Sequence, residues 1–562
     1  MWQRDHAQIS YSLQYMNEAP PRPADLPDDP AVLKALVREQ AFEIERLKEE
    51  LRLATHKRFG ASSEKADSDQ GQLFNEVEAL GARSPAPEAD EITIPAHTRA
   101  KGGRKPLDDR LPRERIEHDI PEAEKLCPCG SGHLRPRIGE IITEQADIEP
   151  AKVKVLQHVR FKYGPCCQCD GVFLPEREKK VAASGAGASA ASEPLAVVMP
   201  EPRAVIVAPL PVQPIPKSMA APGLCAFIAT AKYQDGLPLY RQEGILARHG
   251  LSISRATLAT SMIRLGELIV PLINLAEEVQ LAYDVLQMDE TTVQVLKEDG
   301  RAAQSQSRMW VRRGGPPDKP VILFNYEPTR SGKVAWRLTE DFKGYLQSDG
   351  FSGYEAVGKR DGVVHVGCLA HARRKFDEAL KAQRADERGG LAAEGLALIK
   401  RIYRIEKAAR EANLTPEHRK QLRDEQARPV WDELRRWLDA KRGLVPPQML
   451  IGKAMRYLDN QWPELIRALD DGRLEVDNNR CENALRPFVL GRKAWLFSDT
   501  PAGAEASARL YGLIETAKAN GCETYAYLRR VFTDLPKATT LAEIDALLPW
   551  NVRPPTTQSV AA

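Results

Sequence analysis

No stretch of this 562-residue chain reads as a membrane span. The apolar run from Leu195 to Ile215 is broken by five prolines, which a buried transmembrane helix would not carry. The N-terminus lacks the basic-then-apolar pattern of a secretory signal, so the expected location is cytoplasmic. Net charge is also scarce. Lys and Arg number 80 against 78 Asp and Glu, a balance of +2. No global field therefore announces nucleic acid, and a DNA partner would have to be met by local basic patches. Cysteine is sparse and uneven: five of nine fall between Cys127 and Cys169. In such a chain these read as thiols or metal ligands rather than disulfides. What is present is globular, with 43% hydrophobic and 28% charged residues. The length suggests roughly three to five domains.

Residues 1–30 are polar and proline-rich and are expected to be disordered. In residues 31–60, Leu33, Gln40 and Leu47 recur every seventh position, with Val37, Ile44 and Leu51 offset between them. This is a heptad seam in which Gln40 could set register; an ordinary amphipathic helix is the alternative. Residues 61–125 form a linker that ends in a basic stretch. Its Gly-Gly-Arg-Lys-Pro core, with Arg104 and Lys105, has the form of an arm that lays Arg into the minor groove, although a solvated basic linker looks the same. Residues 126–180 carry LCPCGSGHL and GPCCQCDG between strand-like segments. Two turns that each offer two thiolates are what a tetrahedral Zn2+ needs, and Cys127, Cys129, Cys166 and Cys169 are the expected ligands. Cys167 is the spare or a replacement. Residues 181–221 are a small-residue, proline-punctuated linker. Residues 222–281 read as short helices. Within them YRQEGILARHGLSISRATLATSMIRL has helix-turn-helix form, with Ser252 or Ser254 as cap and Arg255 near the start of the second helix. An ordinary helical hairpin would look alike.

From residue 282 to 384 the texture changes. Three strand-like runs are followed by a helix, a strand, a helix, a strand and a helix. That is a mixed sheet covered by helices, the layout of the ribonuclease-H-like fold. Asp289 lies in the first strand and Asp349 at the end of the fourth. On neighbouring strands two such carboxylates would repel each other unless a divalent cation lay between them. Oxygen ligands with open positions suit Mg2+ or Mn2+, and a pair of such ions suits phosphodiester cleavage. A third acid is wanted, and Glu482 in VDNNRCENALRPF is the candidate. Asp477 or Asn478 can cap its helix, and Arg486 lies one turn on. A surface glutamate paired with Arg486 is the plain alternative.

MDET, SDGFSGYEAV, GCLAHARRKF and VDNNRCENALRPFVLGRKAWLFSDTPAGAEASARLYGLIETAKANG resemble the IS-sixty-six family of bacterial insertion-sequence transposases. KRFGASSEK, GGRKPLDDRLPRER, the cysteine clusters and KYQDGLPLYRQE share the resemblance, which runs in order from about residue 31 to residue 548. It implies a DDE transposase: a multidomain α+β chain with an N-terminal coiled-coil helix, a zinc-ribbon-like domain, a helix-turn-helix region and a ribonuclease-H-like α/β core. By motif, the catalytic and magnesium-binding residues are Asp289, Asp349 and Glu482. The long separation of Asp349 from Glu482 implies a helical insertion at 385–470, before a catalytic helix and C-terminal helical part at 471–548 and a disordered tail at 549–562. The chain departs from the family pattern in its shortened first cysteine pair, the extra Cys167 and a longer linker. Cys481 stands where the family has another small residue.

The expected chemistry is cleavage at the terminal inverted repeats of an element, followed by attack of the exposed 3′-hydroxyl on target DNA, with two Mg2+ or Mn2+ ions in the site and structural Zn2+ elsewhere. Arg373, Arg374, Lys375 and Arg486 are candidate phosphate contacts, alongside Arg104, Lys105 and Arg255. Cys368 and His371 have metal-pair spacing but no second pair in sequence, so Cys368 reads as strand-end packing and His371 as a possible active-site neighbour. Expected partners are DNA, a second copy of the chain, and accessory proteins of the same element. Two other readings compete: a zinc-ribbon and helix-turn-helix DNA-binding protein with an inactive core, and a structure-specific ribonuclease-H-like nuclease.

Overall fold

The heptad stretch forms one continuous helix, α1 (Pro30–Phe59), with two unlike faces. On one face Glu49 and Leu53 are buried. There the Glu49 carboxylate accepts the Leu450 N–H at 3.0 Å, and Arg52 Nε donates to the Ala382 carbonyl at 2.7 Å. On the other face Val37, Ile44, Leu47 and Leu51 are all more than half exposed, at 62%, 52%, 51% and 67%. The seam expected from the sequence thus faces away from the body against which the helix packs.

The computed structural model describes residues 29–59, 153–156, 158, 162–163, 206–207, 211–383 and 389–552. Arg104 and Lys105 of the expected basic arm, and Cys127, Cys129, Cys166, Cys167 and Cys169 of the expected zinc site, lie outside the described residues. Chain contacts divide the molecule into two units. The elements below belong to the larger, made of Met1–Arg83, Leu156–Arg248 and Ser252–Ala562.

Among the described residues, the chain enters the sheet through α2 (Pro222–Tyr233), α3 (Leu239–Arg248), α4 (Arg255–Leu268) and α5 (Val270–Leu281). Of the two expected caps it is Ser254 that caps α4, its hydroxyl accepting the Thr257 N–H at 3.2 Å. The inner face of α4 is committed to packing. A Cβ on Gly266 would lie 2.7 Å from Ala506, so only glycine permits this approach.

The alternating stretch around Asp289 becomes β1 (Val285–Gln294). It pairs antiparallel with β2 (Gln306–Gly314), which pairs antiparallel with β3 (Val321–Glu327). The chain then crosses over through α6 (Gly332–Leu338). It returns as β4 (Gly344–Gln347), parallel to β1, and later as β5 (Val363–Val366), parallel to β4. The order is β3-β2-β1-β4-β5. Met309, Trp310 and Val311 are consecutive and each is 0% exposed, so the sheet is covered on both faces. One face packs Leu286, Met288, Trp310 and Leu346 against α6 residues and Tyr354. On the far edge the Thr516 hydroxyl donates to the Ile322 carbonyl at 2.8 Å and accepts the Ile322 N–H at 3.0 Å.

After β5 come α7 (Leu369–Lys381), α8 (Gly390–Glu411), α9 (Pro416–Leu422), α10 (Arg428–Lys441) and α11 (Leu450–Asn460). They share a core that includes Phe376, Ile399, Trp431, Leu434 and Leu458. A buried ion network ties them to the segment that follows. Glu406 is 1% exposed and binds both Arg419 and Arg423, and Arg419 also reaches Glu475 at 2.8 Å. The described residues end in α12 (Asn479–Trp495), α13 (Pro501–Ala519), α14 (Thr524–Asp534) and two short helices, α15 (Leu541–Asp545) and α16 (Pro549–Val552). Pro549 and Trp550 are buried, so packed structure extends into the stretch expected as a disordered tail from residue 549. Among the described residues no single helix is long and apolar enough to cross a membrane.

Candidate active site

The register of β1 and β4 brings the first two acids to one place. Gln287 pairs with Gln347, and their side chains share a hydrogen bond of 2.8 Å. Asp289 and Asp349 each lie two residues beyond that pair, at the same end of two parallel neighbours, and the Asp349 charge acts on Asp289. Gly350 follows Asp349 closely beneath α11. A Cβ there would stand 2.8 Å from the Tyr457 hydroxyl oxygen, so a larger residue would have to displace the ends of the Tyr457 and Gln461 side chains.

The third acid arrives on α12. Glu482 is 4% exposed, so it is no surface glutamate. Its helix is fixed by Asn478, which is fully buried. The Asn478 side-chain NH2 donates to the Met288 carbonyl at 2.8 Å, next to Asp289, and its backbone N–H donates to Cys368 Sγ at 3.2 Å. Its carbonyl accepts the Glu482 N–H at 3.0 Å, starting the helix. Asn478 occupies the cap position but does not cap with its side chain. Asp477 does the local work instead, accepting the Asn479 N–H at 3.1 Å. One asparagine thus ties α12 to β1 and to the start of α7.

The electrostatics are those of carboxylates crowded away from water. Burial, then the negative charges of Glu482, Glu290 and Asp349, push the Asp289 carboxyl well above the usual carboxylate range. Burial pushes Glu482 up to about 7; Arg374 opposes the shift, while Asp477 and Asp349 add to it. Glu482 Oε1 is enclosed and makes no hydrogen bond. A buried carboxylate with a free oxygen, facing other carboxylates, is a fit for a cation. Two further residues brace the acids. Glu290 accepts the Tyr354 hydroxyl at 2.7 Å and holds Arg330. Arg330 reaches Asp349 at 3.7 Å and lies over the Phe351 ring, 3.8 Å from its centroid.

These shifts predict a stability effect. Folded Glu482 keeps its proton up to about pH 7, whereas its ordinary value is 4.5. Between those limits the folded state binds more protons than the unfolded one, so this group lowers stability as pH rises through the window. In magnesium-free buffer, Glu482→Gln should therefore melt higher than wild type at pH 8 and about the same at pH 4.5. Thermal melts at both pH values check this; equal offsets at the two would contradict it.

The expected phosphate contacts part company. Arg374 and Lys375 are half-exposed on α7, and Arg374 is close enough to act on both Glu482 and His371. Arg373 is 6% exposed and turned inward, because α7 buries Leu369, Ala372, Arg373 and Phe376 together. It is thus less open to a phosphate than its two neighbours. Arg486 is half-exposed, one turn beyond Glu482, and Arg255 is exposed at the first turn of α4. His371 stands 3.8 Å from Glu482, Nδ1 to Oε1. Burial, then the charge of Arg374, pulls its imidazole down to about 4. Asn478 (read only as a candidate cap), Glu290 and Arg330 were not singled out from the sequence as parts of the site. The first two lie inside the quoted motifs VDNNRCEN and MDET; Arg330 lies in a loop with no pattern to mark it.

Comparison with known proteins fits this geometry. The Transposase IS66 family matches residues 217–506, which contain all three acids. The family described as Transposase C of IS166 homeodomain matches residues 46–116. The zinc-finger binding domain of transposase IS66 matches 124–170, and the IS66 C-terminal element matches 512–550. Similar whole chains come from Sinorhizobium fredii (strain NBRC 101917 / NGR234). The uncharacterized protein y4jD is 30% identical, over 78% of this chain and 81% of its own. The uncharacterized protein y4qI is 29% identical over 94% of this chain and 98% of its own. The family carries divalent-metal chemistry on DNA and a zinc-binding domain, and the chain belongs to it: this is a transposase of the IS66 family.

Proposed function

We propose that Asp289, Asp349 and Glu482 are the DDE residues of a ribonuclease-H-like core that cuts the terminal inverted repeats of its element and joins them to target DNA. The observation that carries this is Glu482, brought by α12 from far along the chain to the end of β1 and β4, buried at 4% exposure with an unpartnered oxygen. The order β3-β2-β1-β4-β5, antiparallel and then parallel, supports the ribonuclease-H-like assignment. The three carboxylates would hold two divalent cations, Mg2+ or Mn2+; bound there, these would activate the attacking oxygen and stabilise the leaving one. The chain's own part is to fix the acids: Arg330 steadies Asp349, and Asn478 sets Glu482 against β1. Arg374, Lys375 and Arg486 would meet phosphates and give salt-dependent affinity. Cys127, Cys129, Cys166 and Cys169 would hold structural Zn2+, and Arg104, Lys105 and Arg255 would serve the DNA-binding half.

The test is transposition in cells of a marked element, with its accessory reading frames supplied. Asp289→Asn should abolish movement while expression and binding to the element ends persist. Movement at the wild-type rate would overturn the assignment. An inactive-core DNA-binding protein would give no movement with either chain, and a structure-specific nuclease would cut branched DNA without joining.

Transposition pairs two DNA ends, so a dimer or larger assembly is required, and α1 is the proposed seam. Val37, Ile44, Leu47 and Leu51 lie along one exposed stripe, opposite the face that Glu49, Arg52 and Leu53 dock. Ile44→Lys with Leu51→Lys should convert the dimer to monomer, read by light scattering on a sizing column. An unchanged mass would remove α1 from the interface.

A further inference from the structure

We infer that His371 is a ligand in the cation position of Glu482 and Asp349, making that position a mixed nitrogen–oxygen site suited to a divalent first-row transition ion. This rests on the reading of those two acids as cation ligands.

Sequence spacing offered Cys368 and His371 as a metal pair without a partner. The fold supplies the partner. Donor atoms of Cys368, His371 and Glu482 all lie within 4.8 Å of one another. Both His371 Nδ1 and Glu482 Oε1 are enclosed, and neither has a hydrogen-bond partner. Their 3.8 Å separation is too long for a hydrogen bond. Two ligands each about 2.1 Å from one small ion stand roughly 3–3.5 Å apart, so little movement would bring both onto it. The charge of Asp349 also acts on His371. His365 is also close enough for Asp349 to act on it, but its Nε2 is engaged by the Ser348 hydroxyl at 2.8 Å.

The surroundings hold His371 in place. It sits in the first turn of α7, whose rotation is set by buried Leu369, Ala372 and Phe376. Cys368 is 1% exposed, and its sulfur accepts the Asn478 N–H, so the starts of α7 and α12 are pinned to each other. Cys368 is therefore a positioning residue, and the imidazole is the group that faces the ion. A nitrogen ligand favours Mn2+ over Mg2+, which prefers a shell of oxygens.

The test is pulsed electron paramagnetic resonance on the full chain, zinc-loaded, with one equivalent of Mn2+. The expected spectrum carries the nitrogen coupling of a bound imidazole, which changes when the protein is made with 15N-histidine. His371→Gln should remove the coupling and weaken Mn2+ binding by about tenfold or more. Asp289→Asn should weaken binding yet keep the coupling. Mn2+ bound in a Glu482-dependent manner without nitrogen coupling would overturn this inference and leave the acids' assignment intact. Coupling that persists in His371→Gln would overturn it too, by assigning the nitrogen elsewhere. Mn2+ binding indifferent to Glu482→Gln would remove the assignment beneath it. Should His371→Gln fail to fold, His371→Asn replaces it, and the wild-type spectrum alone still decides against the inference if it lacks nitrogen coupling.

Discussion

Glu482→Gln should abolish transposition and leave the protein folded and bound to DNA. The replacement keeps the shape of the side chain and removes the charge a cation would need. Wild-type Glu482 is 4% exposed and faces Asp349 and Asp477, both of which raise it. Neutralising it relieves that repulsion, so the fold gains while the chemistry loses. The loss should reach roughly 100- to 1000-fold or more, the scale on which removal of one preorganised group that stabilises transition-state charge is felt. Transposition frequency of a marked element, read beside a melting curve and an end-binding assay, separates the two effects. A variant that moves the element at the wild-type rate would return Glu482 to the class of incidental buried acids.

Asn478→Ala should cost nearly as much by a different route. Asn478 touches no substrate in this account. Its side-chain NH2 holds the Met288 carbonyl at 2.8 Å, and so fixes α12 relative to Asp289. Alanine keeps the backbone N–H that binds Cys368 but leaves the Met288 carbonyl without this buried donor, which costs about 1–3 kcal/mol of stability. Groups that orient metal ligands typically cost about 10- to 100-fold when removed. The variant should therefore lose activity at temperatures where it is fully folded, and it should need more Mn2+ or Mg2+ to reach half its maximal rate. A variant that is merely less stable, with unchanged cation dependence below its melting range, would reduce Asn478 to a structural role.

Some of this was legible in the sequence because the signals are local. Period-two alternation in DVLQMDETTVQ gives β1, and a heptad gives α1 with its exposed stripe of Val37, Ile44 and Leu51. The apolar FVLGRKAWLF marks the Glu482 helix as a packed one, and Phe488 and Val489 are 0% exposed. Pairing is not local. Nothing in four-residue strands such as Gly344–Gln347 states that β4 runs parallel beside β1 with Gln287 opposite Gln347. The meeting of Asp289 with Asp349 depends on that register. Arg330, and the tie of Asn478 to Met288 as opposed to its cap position, escaped for a related reason: each acts through a contact whose partner is remote in sequence. His371 could be placed only once α7 and α12 were seen to start side by side. Charge runs were the least informative feature. Arg373, Arg374 and Lys375 look alike in sequence, yet the turn of α7 buries the first and leaves the others half-exposed.

The most direct test of the central claim is joining of pre-cleaved terminal-repeat DNA to a target plasmid by the purified full chain, with its accessory proteins present. With Mg2+ or Mn2+ the wild type should yield joined product, and Asp289→Asn, Asp349→Asn and Glu482→Gln should each yield none while still binding the ends. Joined product from any of the three at the wild-type level, or joining by the wild type without a divalent cation, would contradict the account.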